Sequence, residues 1–125
     1  MAAKDGTKKT NWSWRLTMNK YRDKSDFEIN KAVAEELGEQ FTTNGKIIFV
    51  EADVPSGIVP YSVFFDPCNN PADAMPITIE NGISMIKSSG GWICCHGAAG
   101  VIEHENLYRA AMEVFLMMKD AENEK

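Results

Sequence analysis

The sequence predicts a small α+β protein, in which an antiparallel sheet of about four strands is layered with about three α-helices. Three stretches carry helical periodicity or helix caps, and four short β-branched or aromatic runs lie between them, bounded by turn residues. The 125 residues can build one hydrophobic core but not two. We therefore expect a single domain with the element order α-β-β-α-β-β-α.

The composition is typical of a globular protein without a membrane segment. Hydrophobic residues make up 44% of the chain and charged residues 25%. No apolar run reaches the roughly 18 residues that a membrane span needs, and the N-terminus lacks the apolar core of a signal peptide. Three cysteines, two of them adjacent, do not form a disulfide framework. We expect a cytoplasmic protein with reduced thiols.

Charge divides the chain into a basic start and an acidic body. Residues 1–24 hold seven Lys or Arg and two Asp, a net of +5, so residues 25–125 carry −10 of the total charge of −5. We interpret residues 1–20 as a basic extension, either a flexible tail or a short docking strand. A single domain over 21–120 and a frayed tail over 121–125 follow. An acidic body disfavours direct contact with nucleic-acid phosphates.

The first helix is predicted by its cap. Ser25 and Glu28 form a capping box, in which each side chain accepts a hydrogen bond from the other residue's backbone N–H. This pattern predicts a helix over residues 26–37, and Gly38 supplies the left-handed stop. The apolar face of this helix contains Ile29, Val33 and Leu37.

Two strands and a polar corner follow. The runs 46–51 and 61–65 are rich in β-branched and aromatic residues, and the Pro- and Gly-containing segment 53–60 separates them as a loop. The polar segment 66–70 then reads as a tight turn, because Asp and Asn side chains bond their own main chain. We expect the two strands to pair in antiparallel orientation, and the rest of the chain to be organised around this corner.

A second helix is predicted after the corner, with two possible starts. Asn70 followed by Pro71 is typical of a helix N-terminus. Pro76 is unfavourable inside a helix, since it removes one hydrogen bond and clashes one turn back. Either the helix runs from Pro71 with a kink, or Asp73 caps a helix that begins near Ala74. We prefer the later start.

The C-terminal part predicts a hairpin and a strongly amphipathic helix. Residues 83–87 and 91–96 read as two strands around a Ser-Ser-Gly turn, and the Gly-rich stretch 97–100 breaks the order. We expect the last helix to begin near His104 or Asn106. Its apolar positions are Leu107, Ala111, Val114, Phe115 and Met118. An apolar face of this extent predicts a homo-oligomer.

Three blocks of the sequence resemble the NinX-like family. They are SDFEINKAVAEELG at residues 25–38, FDPCNNPADAMPITIENGISM at 65–85 and LYRAAMEVFLMM at 107–118. Members of this family are small proteins of lambdoid tailed phages and their prophages, and the resemblance covers most of residues 21–118. It implies a phage accessory protein, but the family has no assigned catalytic residues that could be transferred to this chain.

Cysteine and histidine residues suggest two chemical hypotheses, which their arrangement in the sequence disfavours. The candidates for a zinc site or a cysteine nucleophile are Cys68, Cys94, Cys95, His96 and His104. Two adjacent cysteines on a strand point to opposite faces, so at most one of them can join a site. Nothing in the pattern orients a base against a thiol. We predict no metal, no cofactor and no catalytic residue.

A ligand pocket is a more coherent hypothesis. Asp66, Asn69 and Asn70 can hydrogen-bond a nucleobase at the corner, Tyr61 and Trp92 offer stacking surfaces, and Arg109 near the start of the last helix suits an anion. We therefore expect a non-enzymatic protein that sequesters a small nucleotide immune signal in the host cytoplasm. The alternative is an acidic protein–protein inhibitor of a host nucleic-acid-binding or defence protein.

Overall fold

The computed structural model describes residues 19–97 and 99–123 and confirms the α+β class. In these residues three helices accompany two three-stranded antiparallel sheets, with strand orders β1-β2-β3 and β4-β5-β6. The elements are α1 (Asp26–Glu36), β1 (Phe41–Thr43), β2 (Ile48–Glu51), β3 (Ser62–Phe65), α2 (Pro71–Glu80), β4 (Ser84–Ser88), β5 (Gly91–His96), β6 (Gly100–His104) and α3 (Leu107–Asn123). The predicted extension up to residue 18 and the last two residues lie outside the described part.

Helix α1 begins with the predicted capping box. The Ser25 Oγ atom accepts a hydrogen bond from the Glu28 N–H at 3.1 Å, and the Glu28 Oε1 atom accepts one from the Ser25 N–H at 2.9 Å. The bond from the Ser25 backbone holds the pKa of Glu28 below its usual value. Gly38 follows the helix at a φ of 74°, the left-handed conformation that glycine adopts at helix ends.

The first sheet contains a strand that the pattern did not predict. β1 pairs with β2 through Thr43 and Ile48, and the Asn44 side chain between them accepts hydrogen bonds from the N–H groups of Lys46 and Ile47. Three residues with two threonines are too short for a periodic signal. The predicted strands at 46–51 and 61–65 are confirmed as antiparallel neighbours.

The second sheet also has one strand more than predicted. The hairpin of β4 and β5 is confirmed, and β6 pairs antiparallel with β5 on its other side. β6 begins at Gly100, the last residue of the Gly-rich stretch, and this glycine has a φ of 112°. In β6 only Ile102 is buried, so the strand lacks the apolar run that would have predicted it.

The preferred start for the second helix was wrong. α2 begins at Pro71 with Asn70 as its N-cap, and Pro76 lies inside the helix. The Asn70 Oδ1 atom accepts a hydrogen bond from the Ala72 N–H at 3.0 Å. Pro76 is tolerated because the bond it removes would reach Ala72, whose carbonyl lies in an exposed first turn where water can bind it.

Helix α3 is the centre of the core. It packs against α1, α2, β5 and β6, and its buried apolar residues include Met112, Phe115 and Leu116. The first sheet adds Ile48 and Phe65 to the same core. The apolar face on which we predicted oligomerisation is thus largely covered by the chain itself. No helix within the described residues is long and apolar enough to cross a membrane.

Candidate functional site

A cleft lies where α1, the start of β2 and the end of β3 meet. Its volume is about 270 Å³. The polar groups along its wall are Asp26, Asn30, Lys46, Asp66 and Asn69. The apolar wall is made by Phe27, Ile47, Ile48, Phe64 and Phe65. We call this the corner cleft, because the turn after β3 forms one of its sides.

The corner itself is a closed set of local hydrogen bonds. The Asp66 carbonyl accepts from the N–H groups of Asn69 and Asn70, at 3.0 and 2.8 Å. The Asp66 N–H donates to the Asp73 Oδ2 atom at 2.9 Å, and the same oxygen accepts from the Asn70 side-chain amide at 3.2 Å. These bonds hold the turn in one conformation, as Asp and Asn side chains commonly do. The side chains that face the cleft are therefore preorganised.

Asn30 ties the corner to α1. Only 6% of this residue is exposed. Its Nδ2 atom donates to the Asp66 Oδ1 atom at 2.8 Å, and its Oδ1 atom accepts from the Cys68 N–H at 3.1 Å. A buried amide that is satisfied on both atoms fixes the relative position of the groups it joins. Helix α1 and the turn thus form one rigid wall.

Two carboxylates meet at the polar end of the cleft. The Asn69 Nδ2 atom donates to the Asp26 Oδ2 atom and to the Asp66 Oδ1 atom, both at 3.1 Å. One amide nitrogen therefore links the two acidic groups. Each carboxylate has about four acceptor positions, and the hydrogen bonds from the described residues do not fill all of them. This end can receive N–H donors from a ligand, and it disfavours an anion.

Arg109 lies behind this end and holds Asp26 in place. Its Nη1 atom donates to the Asp26 Oδ1 atom at 2.6 Å, and its Nε atom donates to the Glu113 Oε2 atom at 2.5 Å. Its Nη2 atom donates to the carbonyls of Tyr21 and Lys24, at 2.9 and 2.7 Å. Burial alone would lower the pKa of Arg109, but the bonds to the two carboxylates outweigh it and raise that pKa.

Asn106 joins the corner to the last helix. Its Oδ1 atom accepts hydrogen bonds from the N–H groups of Tyr108 and Arg109, which makes it the N-cap of α3. Its Nδ2 atom donates to the Cys68 carbonyl at 2.9 Å and to the Asn69 Oδ1 atom at 3.2 Å. Asn106, near which we expected the last helix to begin, thus also orients Asn69 toward the two carboxylates.

The structure brings only part of the predicted ligand-binding set together. Asp66 and Asn69 line the cleft, and Asn70 caps α2 beside it. Tyr61 precedes the other end of β3, roughly 16 Å from the corner at the usual rise per strand residue. Trp92 lies on β5 in the second sheet, where the Lys87 Nζ atom is 5.3 Å from its ring centre. Arg109 binds four acceptors of its own chain.

Of the ten described residues that line the cleft, eight were not among the predicted site residues. They are Asp26, Phe27, Asn30, Lys46, Ile47, Ile48, Phe64 and Phe65. Asn30 carried a usable signal, because it is a polar residue beside Ile29 and Val33 on the buried face of α1. The signal for Phe64 was weaker. Successive residues of a strand point to opposite faces of the sheet, so Phe64 must face away from the side on which Phe65 is buried.

Two of the three thiols, those of Cys68 and Cys94, behave as buried apolar groups. Cys68 and Cys94 are buried, and their Sγ atoms lie 3.8 Å from the Asp26 carbonyl and 3.7 Å from the Leu107 carbonyl. Burial raises the pKa of Cys68 strongly and that of Cys94 to about 11. Over residues 19–97 and 99–123, no group of three His, Cys, Asp or Glu side chains is arranged to hold a metal ion.

The fold and the cleft together define a small α+β protein. In it a rigid polar corner lies beside the apolar wall of the cleft, which contains Phe27, Phe64 and Phe65. The sequence matches the family described as "Bacteriophage P22, NinX" over residues 20–119. This match spans 100 of the 125 residues, so the chain belongs to that family and is a phage accessory protein. No curated protein and no solved structure is significantly similar to it.

Proposed function

We propose that this phage accessory protein is a non-enzymatic binding protein whose corner cleft holds a small nucleotide. In an infected host cytoplasm, such binding would remove a nucleotide signal that the host uses for defence. One observation carries the proposal: an exposed aromatic ring and preorganised hydrogen-bonding side chains line the same cleft. Nucleobases are recognised by this combination of stacking and edge contacts.

Phe64, in the apolar wall of the cleft, supports base stacking. Phe64 is 66% exposed and lines the cleft, and its ring lies 5.4 Å from that of Phe49 in an edge-to-face arrangement that limits its rotation. Stacking of a base on such a ring is worth about 1–3 kcal/mol. A ring held at the rim of a cleft can provide this energy without reorganisation.

The charges in the cleft select the orientation of the ligand. The open acceptors of Asp26 and Asp66 suit the amino and imino groups of a base, while they repel phosphate. Among the described residues that line the cleft, Lys46 is the one basic side chain. The ligand is therefore expected to enter with its base toward the corner and its phosphate beside Lys46.

The size of the cleft limits the ligand. A volume of about 270 Å³ lies near the lower end of the ~300–1,000 Å³ that small-molecule sites usually have. One chain is thus suited to a single nucleotide unit rather than to a complete dinucleotide. A larger ligand would extend beyond the rim at Phe64.

Isothermal titration of the purified protein with a nucleotide panel tests the proposal. The panel contains mononucleotides, cyclic dinucleotides and ADP-ribose-type compounds. We expect one class to bind, and Phe64→Ala to weaken its affinity about tenfold or more through lost stacking. Ile86→Ala is a matched control, because Ile86 is 52% exposed on β4 outside the cleft. The proposal fails if no compound binds, or if both variants bind equally well.

A second candidate function is the acidic inhibitor of a host protein. The outer surface of α1 and the turn after it support it, since Glu28, Glu35, Glu36 and Glu39 are exposed there. A basic nucleic-acid-binding surface would be attracted to this face, and the attraction would fall steeply with salt. The test is inhibition of a host nucleic-acid-binding protein by the wild type and not by a Glu35→Lys/Glu36→Lys variant. Equal inhibition by both proteins would reject this candidate.

A further inference from the structure

We propose that two copies of the chain pair through β3, antiparallel about a two-fold axis at Val63, and that the second copy completes the corner cleft. Among residues 19–97 and 99–123, β3 is an edge strand of the first sheet, with β2 as its one neighbour. Unpaired sheet edges present main-chain donors and acceptors that other strands can bind. The geometry of this edge specifies which residues can pair and in which register.

The hydrogen-bonding pattern with β2 determines which groups point outward. The Ala52 N–H donates to the Tyr61 carbonyl at 2.8 Å, and Val50 and Val63 are the next such pair along the ladder. In an antiparallel pair, bonded and non-bonded positions alternate. Ser62 and Phe64 therefore direct their N–H and C=O groups away from β2, toward the open side.

This open edge is only two residues long. At one end, the Asp66 N–H is already bound to the Asp73 side chain, and the Asp66 carbonyl accepts from two turn amides. At the other end, Pro60 has no N–H to offer. In the described part of the chain, no group bonds the outward main chain of Ser62 or Phe64.

A second copy satisfies these groups completely in one register. With Val63 opposite Val63 of the second copy, Ser62 lies opposite Phe64 and each pair exchanges two hydrogen bonds, so all four outward groups of each chain are used. A register centred on Phe64 would instead require the Asp66 N–H, which is occupied. The edge is therefore self-complementary, which favours a second copy over an unrelated strand.

The side chains along this edge also suit self-association. Residues 58–65 contain no charged residue, and five of them are exposed apolar side chains: Ile58, Val59, Tyr61, Val63 and Phe64. A continuous exposed apolar stretch of this kind marks an interaction surface. By contrast, the edge strands β4 and β6 carry Lys87 and Glu103, charges that discourage pairing.

The same register places the second copy at the cleft. Phe65 lies opposite Tyr61 of the second copy, and Asp66 lies opposite its Pro60. Both Phe65 and Asp66 line the corner cleft. Tyr61, which is 57% exposed and distant from the cleft of its own chain, would thus form part of the cleft wall of the other chain. This second statement rests on the proposed nucleotide-binding function, whereas the dimer itself does not.

The mass of the unliganded protein in solution, measured by light scattering at micromolar concentration, tests the dimer. We expect twice the chain mass of 13.9 kDa. Ser62→Pro removes an outward N–H that β2 does not use, and Val63→Glu places two carboxylates opposite each other. Both variants should have the mass of one chain. Val101→Glu is the control, because Val101 is 42% exposed on the edge strand β6 and should leave the dimer intact.

Three results would overturn the inference: a monomeric wild type, a dimeric Val63→Glu variant with a folded circular dichroism spectrum, or a monomeric Val101→Glu variant. Ligand titration of Tyr61→Ala then separates the two proposals. If the dimer forms and no nucleotide binds, the proposed function fails and the dimer stands. If a monomeric wild type binds nucleotide, the dimer fails and the function stands. With both present, a loss of affinity in Tyr61→Ala supports the shared site, and unchanged affinity rejects it.

Discussion

Replacing Arg109 by methionine should strongly destabilise the protein, because the guanidinium neutralises a buried carboxylate. Glu113 has only 2% of its side chain exposed, and its Oε2 atom lies 2.5 Å from the Arg109 Nε atom. Removing one partner of a buried ion pair costs about 3–5 kcal/mol, since the other charge stays buried and unpaired. The bond to Asp26 adds little, because that side chain is 44% exposed and solvent-exposed pairs contribute about 0–1 kcal/mol.

Urea unfolding followed by circular dichroism measures this cost. We expect Arg109→Met to lose about 3–5 kcal/mol of unfolding free energy, a large share of the ~5–15 kcal/mol of an ordinary domain. The double variant Arg109→Met/Glu113→Leu removes both charges and should recover more than half of that loss. A loss below about 1 kcal/mol in the single variant, or no recovery in the double variant, would refute the reasoning.

Three further predictions concern a close approach, a buried hydroxyl and the thiols. Gly91→Ala should cost about 1–3 kcal/mol in urea unfolding, because a Cβ atom there would lie 2.5 Å from a main-chain oxygen at the end of β6 and φ is 142°. Gly97→Ala, with nothing within 4 Å, should cost less than Gly91→Ala, and equal losses would contradict this account. Burial, and then the hydrogen bond to a carboxylate, raise the pKa of Tyr21. The protonated Tyr21 hydroxyl therefore contributes its full stabilisation below the unfolded pKa of about 10, and this stabilisation falls as pH rises above that value. In Tyr21→Phe the free energy of unfolding should decrease less steeply with rising alkaline pH than in the wild type. A thiol reagent should modify Cys95 first in the native protein and the two buried thiols only on unfolding, and simultaneous modification of all three would contradict their burial.

The sequence predicted the helix cap of α1 and the corner after β3, because the hydrogen bonds that form them join residues close together in the chain. The capping box of α1 joins residues only three positions apart, and the corner after β3 closes within eight residues. Such interactions are encoded in short stretches of sequence, so they can be read without knowing the fold. Pro76 misled the prediction for α2, because its cost depends on whether the freed carbonyl is exposed to water, which the sequence does not show.

Long-range contacts explain what the sequence could not predict. Arg109 looked like a free cation at the start of a helix, yet it binds Asp26 and Lys24, which lie 83 and 85 residues away in the chain. Asn30 meets Cys68 across 38 residues. The cleft therefore arises where α1, β2 and the turn after β3 meet, with α3 packed against α1 behind it. The residue types at the corner indicated that this end of the cleft is polar. Only the fold shows that Phe64, rather than Trp92, lines the cleft.

The most direct test of the proposed cleft is nuclear magnetic resonance of the labelled protein during titration with a nucleotide that binds in the calorimetric panel. We expect the side-chain amide signals of Asn30 and Asn69 and the backbone signal of Phe64 to shift with saturation, because these residues line the cleft. The Trp92 indole signal should stay unchanged, since that residue lies in the second sheet. Shifts at Trp92 with none at Asn69 would place the ligand elsewhere and contradict the account.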